Sequence, residues 1–207
     1  MEFRGPAIVC ASRQHGETAV IARLLTSRQG LIGAYVAGGR GRHLRPVLLP
    51  GNLVEAEVRA RSDSQLPFAR LELRDSRGPW LSEPLPAAGI AWITALTAAT
   101  LPERQPFPAL FDGLSALLTA ITVAPSARGW AVPLLSYEVL LLRELGYGVS
   151  AVRPEEGDWP AIFVAFDRIG RDLSRYLLAE RRADVMAARA MLRERWARLT
   201  GVDLAGE

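Results

Sequence analysis

The sequence predicts an α+β protein in which an N-terminal β-barrel of the OB type precedes an all-α helical part. Two observations predict this class. The first 80 residues contain short apolar runs separated by turn residues, and the residues from Pro84 onward follow helical spacing. We expect an OB-fold domain over residues 1–80 and a helical bundle domain over residues 81–207. Apolar residues make up 49% of the 207 residues, enough to fill both cores.

Five strands are predicted in the first part. The clearest covers residues 53–61, where apolar and charged side chains alternate with a period of two. Leu71 and Leu73 alternate with charged neighbours in the same way, and three more apolar runs cover residues 7–12, 19–26 and 31–37. Turn residues separate these runs: His15-Gly16, Gln29-Gly30, Gly38-Gly39, Pro50-Gly51 and Asp63-Ser64. Such short, closely spaced strands favour an OB-type barrel, with an SH3-like barrel as the alternative.

The second part is predicted to be helical. Apolar residues at three- and four-residue spacing indicate helices over residues 87–100, 108–121, 133–145 and 162–182, and a last helix that begins near Asp184 and ends before Gly201. Residues 149–160 are predicted to form a polar loop. Residues 84–102 carry no charge, but their prolines, glycine, threonines and alanines argue against a membrane span. Glu2 and Arg4 precede no long apolar run, so no signal peptide is expected.

Charge is distributed unevenly along the chain. All 25 basic residues are arginine, and the formal net charge is +3. Residues 1–80 hold 12 arginines and 7 carboxylates, a net charge of +5, whereas residues 81–152 hold 3 and 5 and residues 153–207 hold 10 of each. A basic excess on the predicted barrel favours a polyanionic partner such as nucleic acid. A basic, solvated surface without a partner is the alternative.

The reactive side chains give no positive case for an enzyme. A single cysteine, Cys10, excludes an internal disulfide framework and a multi-cysteine zinc site, and it fits a reducing cytoplasm. We interpret it as a buried core thiol. His15 and His43 lie in predicted turns and are interpreted as surface residues. The sequence has no nucleophile elbow, phosphate-binding loop or dinucleotide fingerprint, so we expect no catalytic residues, metal or cofactor.

The segment from Gly38 to Arg45 is the best candidate for binding. Its glycines favour a pliable backbone, and its arginines can each donate paired hydrogen bonds to phosphate oxygens. The nucleic-acid-binding residues that we predict are Arg13, Arg40, Arg42, Arg45, Arg59 and Arg61. A mobile, solvated loop is the alternative. Aromatic residues are sparse in this part (Phe3, Tyr35, Phe68 and Trp80), which favours contacts with the phosphate backbone over recognition of bases.

A second basic surface is predicted on the fourth helix. Arg168, Arg171, Arg175 and Arg182 fall on one helical face, opposite the apolar face. They are interpreted as a second surface for DNA or a partner, or as a solvated, salt-bridged face, because Asp167, Asp172 and Glu180 neutralise much of their charge.

In the order and spacing of several segments, the chain resembles the RecO family of bacterial recombination mediators. The resemblance covers residues 1–148 well and the last helices weakly. In the first part it rests on Ser12-Arg13, Gly16-Glu17, Leu25-Thr26, Gly30-Leu31, Gly38 with the basic residues 40–45, and Pro50-Gly51. In the helical part it rests on Leu101-Pro102-Glu103-Arg104, on residues 106–111, on Tyr137-Glu138 and on Leu145-Gly146-Tyr147-Gly148.

This resemblance implies a non-enzymatic protein of DNA repair and recombination, in the cytoplasm at the nucleoid. It implies binding of single- and double-stranded DNA, annealing of complementary strands and partnership with RecR. It further implies recognition of the acidic C-terminal tail of single-stranded DNA-binding protein, and help in loading RecA onto coated DNA. Two departures are visible. The segment after Gly148 is short and lacks zinc-ligand cysteines, and Leu135-Ser136 stand where family members carry basic residues that hold the tail. Tyr137 and Arg143 are the substitute candidates for a partner-tail pocket.

Two other hypotheses belong to different functional classes. The chain is alternatively a non-catalytic interaction adaptor whose basic barrel binds acidic protein partners. An enzyme that cleaves or modifies nucleic acid ranks third, because the sequence lacks a carboxylate cluster at metal spacing.

Overall fold

The computed structural model describes residues 2–60, 62, 65–148, 153–178 and 183–201. Five strands come first along this part of the chain: β1 (Glu2–His15), β2 (Ala19–Thr26), β3 (Gly30–Val36), β4 (Leu53–Arg59) and β5 (Phe68–Asp75). Five α-helices follow a short 3₁₀ turn: α1 (Pro84–Thr100), α2 (Pro108–Val123), α3 (Arg128–Glu144), α4 (Trp159–Tyr176) and α5 (Ala183–Thr200). The predicted α+β class is confirmed.

The five strands form a closed barrel in the order β1-β2-β3-β5-β4. Neighbouring strands are antiparallel except β3 and β5, which are parallel and close the barrel. This non-sequential order is that of a Greek-key barrel of the OB type, not that of the SH3-like alternative. The inward-facing side chains form one buried cluster that includes Val54, Ala56 and Val58 of β4, as the period-two pattern predicts.

β1 is longer than the apolar run over residues 7–12 predicts. Its length is set by hydrogen bonding with two partner strands. Its first half pairs with β4 and its second half with β2, and both pairings include Ile8. The strand therefore reaches from Glu2 to His15 and carries charged residues on its outer face. Leu73 departs from the predicted alternation and is 42% exposed, close to a register shift between β4 and β5.

The helix boundaries that differ most from those predicted belong to α3 and α4. α3 begins at Arg128, so Pro133 lies inside it, because the buried Trp130 and Ala131 extend its apolar face toward the N-terminus. α4 begins at Trp159 rather than Ile162 and ends at Tyr176. The Asp158 side chain caps its start by accepting a hydrogen bond of 3.1 Å from the Ala161 amide.

Other features of the helices agree with the sequence patterns. Gly146 follows the end of α3 with a φ of +89°, a left-handed conformation that glycine adopts without strain. Asp184 lies in the first turn of α5. The uncharged stretch before Pro102 belongs to α1, whose Ile90, Trp92 and Leu96 are fully buried. Among the described residues, no helix combines the length and the apolar character that crossing a bilayer demands.

Contacts between Cα atoms divide the chain into two units. The first unit comprises residues 1–82 and 94–112, and the second comprises residues 83–93 and 113–207. A domain boundary at residue 80 stays a prediction.

A buried ion pair holds the core of the second unit. Glu138 of α3 is fully buried and accepts hydrogen bonds from Arg189 of α5 at 3.0 and 2.9 Å and from the Trp92 indole at 2.7 Å. The same guanidinium donates to the Phe166 carbonyl at 2.7 Å and stacks on the Phe166 ring, 3.4 Å from its centroid. A side chain at Gly170 would occupy the space of this guanidinium. Removing one partner of such a pair costs about 3–5 kcal/mol, because the other charge is left uncompensated.

Cys10 is buried in the barrel, as predicted, where the register of β1 against β2 shifts by one residue. Burial raises its pKa to about 12, because the thiolate is poorly solvated there. In the unfolded chain the pKa of a cysteine thiol is about 8.5.

We therefore predict that the native protein resists a thiol-disulfide reagent near neutral pH and reacts rapidly once urea unfolds it. Since the folded pKa is raised, the stability contributed by the neutral thiol is complete below about pH 8.5 and declines as the pH rises toward 12. A colorimetric thiol assay with and without urea measures the rate. Stoichiometric labelling of the native protein at a rate independent of urea would contradict the assignment.

Candidate functional site

A concavity of about 410 Å³ lies on the barrel where the end of β1 meets the segment between β3 and β4. Three of the predicted binding residues line it together: Arg13, Arg40 and Arg45. We call it the basic concavity. The other side chains and backbone that line it belong to Ser12, Gln14, Val20, Gly39, Leu48, Leu49 and Pro50.

The segment between β3 and β4, residues 37–52, packs onto the barrel core, and we call it the plug loop. Leu48 is part of the buried barrel cluster, and Leu44 and Val47 pack against that cluster. Gly38 has a φ of +65°, and a Cβ atom at Gly39 would lie 2.8 Å from the Val20 Cβ. These glycines therefore serve a tight turn and a close approach. The loop is more ordered than the pliable segment that its glycines and arginines predict.

Backbone hydrogen bonds fix the arginine-bearing part of the plug loop. The Gly41 carbonyl accepts hydrogen bonds from the amides of Leu44 and Arg45 at 3.2 and 2.9 Å. The Arg40 amide donates to the Thr18 carbonyl at 3.0 Å, which ties the loop to the turn between β1 and β2. The arginines are thus presented from an ordered backbone, which lowers the entropy lost when they bind a ligand.

Asn52 anchors the other end of the plug loop, and no sequence signal singles it out. Its side chain is fully buried and donates to the carbonyls of Pro46 and Val47 at 2.8 and 3.1 Å. Its Oδ1 atom accepts a hydrogen bond of 2.7 Å from the Arg77 amide. An asparagine beside a Pro-Gly turn has the sequence signature of an ordinary loop residue, so its anchoring role is visible only in the fold.

Four arginines at this site form no ion pair with any carboxylate of the described residues: Arg13, Arg40, Arg42 and Arg45. Arg40 donates to the carbonyls of Gly16 and Glu17, at 3.4 and 2.7 Å, and the Nε atom of Arg42 donates to the His43 ring at 3.2 Å. All four side chains are exposed. Their positive charge is available to an anionic ligand.

Arg59 differs from these four. It pairs with Glu2 at 3.2 Å and with Glu57 at 2.7 Å, so nearby carboxylates compensate its charge. The structure places it at the end of β4 and not in the basic concavity. Arg61 lies outside the described residues. Nucleic-acid binding by Arg59 and Arg61 stays a prediction.

Three rings that are exposed or half-buried lie close together on the barrel, although they are far apart in the sequence. The Tyr35 ring makes edge contacts with His15, at 5.9 Å between centroids, and with Phe68, at 5.1 Å. Phe68 is 62% exposed. Phe3, by contrast, is buried in the barrel core.

The predicted second basic surface lies on α4 and lines a shallow depression. Arg168, Arg171 and Arg175 are exposed, and Arg171 and Arg175 line the depression together with Ser174. Asp167 pairs with Arg193 of α5, and this hydrogen bonding raises the pKa of Arg193. Asp167 also lines this depression, with Arg171 and Arg175. Arg182 and Glu180 lie outside the described residues, and a binding role for the stripe stays a prediction.

An apolar pocket of about 340 Å³ lies between α3 and α4. Arg143 lies at this pocket, as does Arg153, which the sequence analysis missed because no periodic pattern includes it. Apolar side chains form most of the wall: Val132, Leu135, Val139, Leu140, Ala165 and Ile169. Tyr137, predicted to share a pocket with Arg143, is only 2% exposed and packs near Gly113 instead.

Among the described residues, no group of three or more histidine, cysteine, aspartate or glutamate side chains is arranged to hold a metal ion. His15 and His43 are both exposed, as predicted, and they lie on different segments of the barrel.

Comparison with known proteins identifies the relatives of this chain. Residues 1–77 match the family model described as Recombination protein O N terminal, and residues 82–153 match Recombination protein O C terminal. A DNA repair protein RecO of Phenylobacterium zucineum is 41% identical over 151 residues, 72% of this chain and 61% of the relative. The corresponding protein of Rhodospirillum centenum is 43% identical over 72% of this chain and 59% of its own length.

A third relative is matched over more of its length. The DNA repair protein RecO of Caulobacter vibrioides strain NA1000 / CB15N is 34% identical over 177 residues, 84% of this chain and 72% of the relative. In the first two relatives, by contrast, the chain spans about three fifths of their length.

We predict that Asn52→Ala destabilises the barrel by roughly 2–4 kcal/mol, because it leaves the buried Arg77 amide and two carbonyls of the plug loop without their partner. Urea unfolding monitored by circular dichroism measures the change. Gln65→Ala, at an exposed position of the barrel, is the control and should leave stability unchanged. Equal midpoints for both variants would contradict the anchoring role.

Proposed function

The chain belongs to the RecO family of DNA repair and recombination proteins, and from this premise we propose that its barrel binds DNA through the basic concavity. One observation carries the proposal. Three exposed arginines without a carboxylate partner among the described residues line one concavity on an OB-type barrel, Arg13, Arg40 and Arg45, and the exposed Arg42 lies on the same plug loop. A guanidinium group can bind a phosphate group through a pair of parallel hydrogen bonds.

Strand annealing is the activity that this chemistry supports. Two complementary single strands repel each other through their phosphates, and arginines that neutralise phosphates on both strands lower that repulsion. Contacts with phosphates carry no sequence information, so a protein of this kind acts on any pair of complementary strands. We propose accordingly that the chain binds single- and double-stranded DNA and anneals complementary strands as a non-enzymatic mediator.

The pocket between α3 and α4 is the proposed site for a protein tail. Its apolar wall suits an apolar C-terminal residue, and Arg143 and Arg153 suit acidic side chains and a terminal carboxylate. We propose that it takes the acidic tail of single-stranded DNA-binding protein, with Arg143 and Arg153 in place of the basic residues that are absent at Leu135-Ser136. Partnership with RecR and help in loading RecA, at the nucleoid, are proposed on family membership alone.

We predict that replacing Arg40, Arg42 and Arg45 with alanine weakens binding to every DNA sequence alike and makes affinity less dependent on salt. Each lost phosphate contact lowers the slope of log affinity against log salt by about 0.7 for a single strand, so the loss is about 2 if each arginine binds one phosphate. Fluorescence anisotropy of a labelled oligonucleotide across a salt series measures both quantities.

Arg74→Ala is the matched control, because Arg74 is an exposed barrel arginine that pairs with Glu55 at 2.8 Å. It should leave affinity and slope close to those of the unaltered protein. An unchanged slope in the triple variant would refute the basic concavity as the binding site. Retention of an acidic protein partner after nuclease treatment, with no shift of free oligonucleotide, would favour the adaptor hypothesis.

We predict that Arg143→Ala weakens binding of an acidic peptide with an apolar C-terminal residue by about tenfold or more, because a charge-assisted hydrogen bond contributes roughly 1.5–3 kcal/mol. Isothermal titration calorimetry measures the affinity. Arg128→Ala, at the exposed start of the same helix and outside the pocket, is the control. Equal peptide affinity in both variants would place the tail elsewhere.

A further inference from the structure

One lateral row of residues crosses the outer face of the barrel. The strand registers pair Arg13 with Ile21, Ile21 with Tyr35, Tyr35 with Phe68, and Phe68 with Arg59. Residues paired directly across neighbouring strands place their side chains on the same face of a sheet. All five are exposed or half-buried, so this row faces solvent. With strands about 4.8 Å apart, its four steps span roughly 19 Å of backbone.

The middle of the row is apolar and aromatic, and its ends are basic. Tyr35 and Phe68 are in edge contact, with centroids 5.1 Å apart, and His15 adds a third ring against Tyr35. The Tyr35 amide donates to the Pro67 carbonyl at 2.7 Å, which fixes the start of β5 and the backbone that carries Phe68. The rings are thus mounted on paired strands of a closed barrel and not on a loop.

The row adjoins the basic concavity at the turn between β1 and β2. Arg13 belongs to both, and His15 lies two residues farther along β1. The guanidinium of Arg40 donates to the carbonyls of Gly16 and Glu17, the two residues that follow His15. Phosphate-binding groups and exposed rings are therefore neighbours. At the other end of the row, Glu2 and Glu57 pair with Arg59, so the positive charge is concentrated on the Arg13 side.

We propose that this row is a stacking surface for the unpaired bases of a single strand, with the phosphates held at the basic concavity. The inference deepens the proposed DNA binding and rests on it. Bases stack on aromatic side chains whatever their sequence, because every base has a π-face. In a duplex those faces are covered by neighbouring base pairs, so the row gives the barrel a preference for single strands. Charge complementarity favours nucleic acid over an apolar protein surface as the ligand.

We predict that Phe68→Leu, which keeps an apolar side chain but removes the ring, selectively lowers affinity for DNA with unpaired bases. Its affinity for oligothymidylate should fall about tenfold. Affinity for an abasic oligomer of the same length and for a duplex of that length should not change, because both keep their phosphates but offer no unpaired base. The salt dependence should also stay as in the unaltered protein. Phe68→Trp, which restores a ring, should recover binding.

Leu66→Ala is the matched control, because Leu66 is a neighbouring exposed apolar residue outside the row. Circular dichroism on each variant checks that the fold is intact. Tyr35→Leu removes a second ring of the row and should have the same selective effect.

Equal losses of affinity for oligothymidylate, abasic oligomer and duplex, or no loss for any of them, would overturn the stacking surface while leaving phosphate binding in place. Failure of the unaltered protein to bind any of the three ligands would overturn the proposed DNA binding itself. Phe68→Leu releasing a protein partner without affecting DNA would assign the row to protein binding.

Discussion

The pairing of the long strand β1 with two neighbouring strands is the constraint on which the candidate site depends. β1 pairs with β4 along its first half and with β2 along its second half, so the same strand contributes to two sides of a closed ring. The closed ring gives each strand two neighbours in a defined register, and β3 meets β5 at one residue pair, Tyr35 and Phe68. That register brings Arg13 near the plug loop, and it aligns Tyr35 of β3 with Phe68 of β5, 33 residues later in the chain. A slip of one residue in any pairing would turn one of these side chains inward.

The second unit depends on a different interaction, the buried pair of Glu138 and Arg189. Glu138 belongs to the Tyr137-Glu138 segment on which the family resemblance rests. In the structure this carboxylate is fully buried and binds three donors, and Tyr137 beside it is also buried. The segment therefore organises the packing of α1, α3 and α5, and Arg143, one and a half turns farther along α3, reaches the apolar pocket. A motif that resembles a family motif does not by itself mark a binding surface.

Period-two and helical patterns were enough to predict the barrel, the α+β class and most elements, because burial repeats at every second residue in β4 and along one face of α4. The uneven charge and the glycine-flanked basic segment, in turn, suggested Arg13, Arg40 and Arg45 as candidate binding residues. Other features depend on contacts between distant segments. The length of β1, the anchoring by Asn52, the position of Arg153 and the grouping of His15, Tyr35 and Phe68 all require the strand register or tertiary packing. A count of aromatic residues indicated sparse stacking partners, whereas the register brings three rings together.

The central claim is that single-stranded DNA lies across the barrel, with its phosphates at the basic concavity and its bases on the aromatic row. Photo-crosslinking with a bromouracil-substituted oligonucleotide, followed by peptide mass spectrometry, tests this most directly. We expect adducts at Tyr35, Phe68 or His15. Adducts confined to α3, α4 or α5, at a DNA concentration that saturates binding, would contradict it.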